Sequence, residues 1–255
     1  MLLSPALDLF EDHRPMLQCQ QSRVSGWLAP LAYQMVGRIV LPCRFAEIDI
    51  AGIDHIPRSG PVILAPTHRS RWDALMVPHA VGRPTSGRDV RFMVSANEMR
   101  GIQGWFIWRL GGFPVDTDRP GIASVRYGVE LLLQQQMVVV FPEGGIFQDR
   151  QVHPLKLGPA RMALQAQHLG HEPVQIVPIG LVYSDLQPRR GSRCSIRIGQ
   201  PLSTQSYRQH SPKQGAIALT RDLADQLGRL HQQALHHVLP CQEPLMPLPP
   251  SQELL

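Results

Sequence analysis

Four short apolar runs limit what this chain can become. Val62–Ala65, Val90–Val94, Met137–Phe141 and Gln175–Ile179 are each bounded by turn-forming residues. Runs this short, rich in β-branched residues, read as strands buried on both faces. Phe45–Ile50 alternates more like an edge strand, and Ser195–Ile198 reads as another. Helical patterns fall between them, at about Trp72–Val81, Ile122–Gln135, Pro159–His168 and Ala216–Val238. Strands alternating with helices predict an α/β fold, a mostly parallel central sheet flanked by helices. In such sheets the chemistry gathers beyond the carboxyl ends of the strands.

No linker divides the middle of the 255-residue chain. Residues 45–238 therefore read as one domain. Residues 1–44 form an N-terminal arm, and the proline-rich residues 239–255 form a loose tail. The start, MLLSPALDLFEDHRPM, carries acids and lacks a basic region before an apolar run, unlike a signal peptide. The most apolar early stretch, Val24–Cys43, is interrupted by Pro30, Gln34 and Arg38. A spanning helix needs about 20 mainly apolar residues. The stretch reads instead as an amphipathic helix, either lying at a membrane surface or packed on the domain's own core.

Lys and Arg number 25 against 20 Asp and Glu, a net charge of +5. That balance favours anionic partners: acidic headgroups, phosphorylated substrates, acidic carrier proteins or nucleic acid. No recognition motif supports nucleic acid, and no G-x-S-x-G elbow supports a serine hydrolase. Cys19, Cys43, Cys194 and Cys241 are scattered and suggest neither a zinc site nor a disulfide framework. A reducing compartment is the default.

Three segments carry chemical potential. In VILAPTHRSRWDAL, His68 follows a strand end and Asp73 falls in the first turn of a helix. On one continuous helix they would sit about 140° apart. With His68 in the turn, the carboxylate can bend back, fix the ring tautomer and stabilise an imidazolium. The same residues also fit a capping box, Ser70-x-x-Asp73, in which Asp73 merely satisfies the helix start. In Phe141-Pro142-Glu143-Gly144-Gly145, a carboxylate at a strand end beside glycines suits backbone approach to a polar ligand. It also fits a plain turn. Lys156 lies just before Pro159, a good first helical residue, where an anion would be favoured. A solvated lysine is the alternative. Finally, Trp105, Phe106, Trp108 and Arg109 look interfacial, although aromatics in a domain are more often core.

Taken in order, these segments resemble the glycerolipid acyltransferase family, which includes bacterial 1-acyl-glycerol-3-phosphate acyltransferases. The family's H-x-x-x-x-D motif matches His68 and Asp73. Its F-P-E-G matches Phe141–Gly144, its K-x-G matches Lys156 and Gly158, and its V-P-[IV] matches Val177–Ile179. The resemblance covers roughly residues 45–200. It implies His68 as general base, Asp73 as its orienting partner, and Glu143 and Gly144 in the acceptor site. It implies direct transfer of an acyl chain from acyl-carrier protein or coenzyme A to a lysophospholipid hydroxyl at the cytoplasmic face of a membrane. No metal and no cofactor beyond the thioester co-substrate are implied. The chain departs from the family twice. Thr117 stands where the second motif, Gly112–Asp116, usually continues to arginine, and Ala96 stands where a lysine is common. Arg119, Lys156 and Arg71 are the remaining candidates for an acceptor phosphate. Glycerol-3-phosphate or another lysolipid stays open as the acceptor, and a non-catalytic lipid-surface protein is the reading from a different class.

Overall fold

The strand that precedes His68 is buried along its whole length, as a central strand covered on both faces must be. The computed structural model describes residues 22–115 and 122–239. Eight strands form one sheet: β1 (Phe45–Ala51), β2 (Val62–Pro66), β3 (Val90–Ser95), β4 (Gly112–Val115), β5 (Met137–Val139), β6 (Gln175–Tyr183), β7 (Ser192–Ile198) and β8 (Leu202–Ser203). Their order is β1-β7-β6-β2-β5-β3-β4, with β8 beside β6. All pairings are parallel except those of β6 with β7 and β8. The α/β architecture expected from the sequence is the one observed.

The sheet divides two cores by the alternation of its side chains. Ile63, Val138 and Ile176 face one core, while Leu64, Val139 and Val177 face the other. The second core is covered partly by α2 (Asp73–Val81), through Met76, Val77 and Ala80. The first is covered by α4 (Ile122–Leu133), α5 (Gly158–Gly170) and the long α6 (Pro212–Val238). Ser211 caps α6 by accepting from the Gln214 N–H, and Pro212 follows at the first helical position. The chain of α6 comes so near β6 that a Cβ on Gly180 would stand 2.6 Å from the Leu230 carbonyl carbon.

Several elements differ from expectation: β5 stops at Val139, short of Phe141, β7 begins three residues before Ser195, and β8 was not expected. β6 runs four residues past Ile179, because Gly180–Tyr183 pairs antiparallel with β7. β4, Gly-Phe-Pro-Val, lacks a strand-like composition, and its proline is tolerated because β4 is the sheet edge. Residues Gly101–Arg109 form a helix, α3.

The amphipathic stretch forms α1 (Leu28–Met35), a π turn (Val36–Val40) and a final turn (Leu41–Arg44). Part of it packs on the domain, and part of its apolar surface is left uncovered. Leu28, Ala29 and Leu41 are buried on the domain, whereas Trp27, Leu31, Met35 and Ile39 are exposed. These four are spaced by four residues, which drifts around an ordinary helix of 3.6 residues per turn. The wider π turn offsets that drift before Ile39. Among the described residues, no helix is long and apolar enough to cross a membrane. Arg119, Thr117 and the tail beyond Leu239 lie outside the described residues.

Candidate active site

The turn after β2 is fastened before the chain reaches His68. The Thr67 N–H donates to the Ile179 carbonyl at 3.0 Å, and its hydroxyl donates to the Leu181 carbonyl and accepts from the Leu181 N–H. Asp73 then opens α2 with a fully buried side chain. Its Oδ2 accepts from His68 Nδ1 at 2.9 Å, from the Arg69 N–H at 2.7 Å and from the Ser70 N–H at 2.9 Å. Its Oδ1 accepts from the Tyr183 hydroxyl at 2.7 Å. Burial, and then the Asp73 charge, push the Tyr183 phenol far above its ordinary range, so it remains a donor.

With Nδ1 bonded to a carboxylate, the proton of a neutral His68 belongs there. The tautomer follows from these contacts, and Nε2 keeps its lone pair. The ring lies flat against Phe141, with centroids 3.7 Å apart and planes at 16°. Asp73 makes contacts that belong to both of its readings. Its carboxylate reaches back to the Ser70 N–H as a capping box requires, and it also holds His68. The reciprocal half of the box is missing, because the Asp73 N–H donates to the Ser70 carbonyl and not to its hydroxyl.

This geometry predicts the behaviour of Asp73→Asn. An asparagine can keep its oxygen on the three N–H donors and turn its amide toward the Tyr183 oxygen. Stability should therefore fall by only about 1–2 kcal/mol. Support for an imidazolium is lost, and any reaction that uses His68 as a base should slow by roughly 10²–10⁴-fold. Thermal melting alongside an initial-rate assay checks both halves. Full activity with a lowered melting temperature would reduce Asp73 to a helix cap.

Glu143 is placed behind His68, with its carboxylate turned away from the open side of the site. Its Oε1 accepts from the His68 N–H at 3.2 Å. Its Oε2 accepts from Arg69 Nη1 at 3.0 Å and from the His153 N–H at 3.1 Å. Arg69, also buried, donates to the carbonyls of His68, Phe147 and Gln151. The Phe147 N–H donates to the His68 carbonyl at 2.9 Å. Both peptide groups of His68 are thereby pinned to the loop that follows β5.

His68, Gly144, Lys156 and Arg71 line one cavity of about 880 Å³. Gly144 has φ +79° and lies under the Lys156 side chain, whose Cε would be 3.3 Å from a Cβ there. Arg71 is exposed and paired with Glu98. Glu98 is the last residue of the short turn that begins at Ala96, so this rim carries an acid close to the position where the family commonly has a lysine. Beyond the rim the cavity is walled mainly by apolar side chains, among them Ala32, Val36, Leu75, Phe92 and Val94. Arg69 and Tyr183 are the site residues that sequence reasoning missed, and Phe141 was noted as part of a motif but not as the ring under His68.

A family model described as Acyltransferase matches residues 47–182. The match starts in β1 and stops one residue short of Tyr183. The 1-acyl-sn-glycerol-3-phosphate acyltransferase alpha of Bos taurus is 31% identical over 64% of this chain and 56% of its own length. The 1-acyl-sn-glycerol-3-phosphate acyltransferase of Bacillus subtilis is 25% identical over 76% of this chain and 92% of its own length. The chain thus spans just over half of the mammalian relatives it matches. The crystal structure of the 1-acyl-sn-glycerophosphate acyltransferase from Thermotoga maritima superposes with a TM-score of 0.64. It covers 81% of this chain and 79% of that one at 16% identity, a likeness of fold. With more than half of its residues matched by the family model, from β1 through β6, the chain belongs to the acyltransferase family.

Proposed function

We propose that this protein transfers a fatty acyl chain from a thioester to the free hydroxyl of 1-acyl-glycerol-3-phosphate, giving phosphatidate. One observation carries the reading. His68 is locked through Nδ1 by a buried carboxylate and borders a large, mainly apolar cavity. The acceptor hydroxyl gives its proton to Nε2 as its oxygen attacks the thioester carbonyl. The C–S bond then breaks, and the thiolate leaves with the proton from the imidazolium. General-base help of this kind contributes about 10²–10⁴-fold. The thioester is already activated, so no acyl-enzyme is needed. The donor is an acyl-carrier protein or coenzyme A thioester, and both suit the net charge of +5. Glu143 and Arg69 act as positioning residues, through the His68 peptide.

The names of the curated relatives favour a phosphorylated acceptor. Lys156, at the rim and just before α5, is the described cation best placed for the phosphate. Arg119 is its second candidate and Arg71 the third. Purified protein given labelled thioester should prefer lysophosphatidate over glycerol-3-phosphate and over an unphosphorylated lysolipid. Lys156→Ala should lower kcat/KM for lysophosphatidate by roughly tenfold, the worth of one charge-assisted contact. The unphosphorylated acceptor should be spared. Equal losses on both would remove Lys156 from phosphate binding, and Arg119→Ala then becomes the deciding variant. No product from any acceptor would favour the non-catalytic lipid-surface reading.

We further propose peripheral attachment to the cytoplasmic leaflet. Trp27, Leu31, Met35 and Ile39 are exposed beside α3, which exposes Ile102, Trp105 and Phe106. The two helical pieces are tied by the Ser25 N–H donating to the Arg109 carbonyl at 2.9 Å and by a bridge between Val24 and Leu110. Arg109 sits over the Trp105 ring, a pairing suited to the headgroup level. Leu31→Glu combined with Ile102→Glu should cut binding to anionic vesicles at least about tenfold, by removing buried apolar area. Carbonate should release the wild type from membranes. A requirement for detergent would mean integral insertion instead.

A further inference from the structure

We propose that Glu98 is an internal competitor for the acceptor phosphate: it holds Arg71 in the empty site, yields it to the incoming headgroup and reclaims it from the product. The inference rests on the reading that the acceptor is lysophosphatidate. It makes Glu98 a determinant of how tightly phosphorylated lipids are held.

The placement follows from the sheet. Arg71 lies beyond the carboxyl end of β2, three residues after His68, and Glu98 lies beyond the carboxyl end of β3. These two strands flank β5 on its two sides, both parallel to it. Two strand spacings, about 9–10 Å, separate them. The ion pair of Arg71 Nη2 with Glu98 Oε1 therefore reaches across the end of β5, where Phe141–Gly144 leave the sheet. The His68 ring rests on that same Phe141. His68, Arg71, Glu98, Gln103 and Gly144 line one cavity. In lysophosphatidate, only a methylene and an ester oxygen separate the phosphorus from the carbon that bears the reacting hydroxyl. A hydroxyl at His68 thus brings the phosphate into the mouth that the pair bridges.

Both partners are suited to exchange. The Arg71 side chain is 73% exposed and that of Glu98 35%, so the pair is worth little in itself and opens readily. A phosphate offers the planar guanidinium two oxygens at once and more charge than a carboxylate does. It therefore wins Arg71. Glu98 does not swing away, because its Oε2 accepts from Gln103 Nε2 of α3 at 2.6 Å. Held there, it repels the phosphate and limits the gain. Phosphatidate keeps the same phosphate after transfer, and an uncontested Arg71 would hold product as firmly as substrate. Glu98 takes the guanidinium back as the product leaves.

The test uses full-length protein carrying Glu98→Gln, Arg71→Ala or both, assayed in mixed micelles with lysophosphatidate and with 1-acylglycerol. Glu98→Gln should lower the KM for lysophosphatidate by roughly threefold and strengthen inhibition by phosphatidate by a similar factor, within the range of an exposed ion pair. With 1-acylglycerol, which has no phosphate, it should bring no such gain. Arg71→Ala should weaken phosphatidate inhibition by about threefold or more. In the Arg71→Ala background, Glu98→Gln should lose most of its effect, because the contested guanidinium is gone. Unchanged phosphatidate inhibition in Glu98→Gln overturns the proposal. So does an equal gain on 1-acylglycerol, or a gain that survives undiminished without Arg71. Calorimetric binding of lysophosphatidate gives an arm that needs no catalysis, and Glu98→Gln should tighten it by about threefold. Absence of transfer to every acceptor would count against the acyltransferase reading, while the binding arm would still decide for or against the competitor.

Discussion

His68→Ala is expected to lower acyl transfer by about 10²–10⁴-fold in a protein that still folds. The contacts explain why the two effects separate. Removing the imidazole deletes the proton acceptor, and no other described side chain is bonded to Asp73 in a way that could replace it. Asp73 still accepts from the Arg69 and Ser70 N–H groups and from Tyr183, so no buried carboxylate is orphaned. The ring is 17% exposed, and its main packing loss is the face of Phe141. Stability should fall by about 1–2 kcal/mol. Initial rates with labelled thioester, together with a thermal melt, measure both quantities. Transfer within tenfold of wild type, in a folded variant, would remove His68 from the role of base.

The second large effect is on the fold. Arg69→Ala leaves the Glu143 carboxylate buried without its guanidinium, a situation that typically costs about 3–5 kcal/mol. Arg69 is 4% exposed and Glu143 fully buried, so water cannot easily take over. The variant also loses three bonds to main-chain carbonyls, at His68, Phe147 and Gln151. Domains are commonly stable by about 5–15 kcal/mol, so the loss is a large share of the whole. A fall in melting temperature of roughly 10 °C is expected. Urea denaturation gives the free energy directly. A variant within about 1 kcal/mol of wild type would mean that the pair compensates nothing. Glu143→Gln should also be costly, because its amide nitrogen would face donors in either orientation and the buried Arg69 guanidinium would lose its counter-charge.

The sequence carried the strands well where they were short, apolar and flanked by turns. Val62–Ala65 and Val90–Val94 are embedded in β2 and β3 almost as read. Gly-Phe-Pro-Val was illegible as β4 because glycine and proline hide the pattern. The direction of β7 was illegible for another reason, since side-chain alternation is the same in parallel and antiparallel pairs. That gap concealed Tyr183, which reaches Asp73 only because β6 continues into the antiparallel pairing. His68 and Asp73 were readable together because five residues and one turn join them. Arg69 was not. A charged residue beside a turn reads as solvated, and its burial depends on a carboxylate 74 positions away. Glu143 read as part of the acceptor site, and nothing local indicated that its carboxylate meets the His68 N–H and Arg69 instead of lining the cavity.

That link has a consequence for protein engineering. The turn at His68 and the loop from Glu143 to His153 are one mechanical part encoded in two places. A designer who grafts the first stretch from a relative inherits an arginine whose counter-charge stays in the recipient. Segment exchange should therefore succeed when both stretches are transplanted as a set, and fail when either moves alone. The smallest portable unit of this active site is thus discontinuous, and its seam runs through a single buried ion pair.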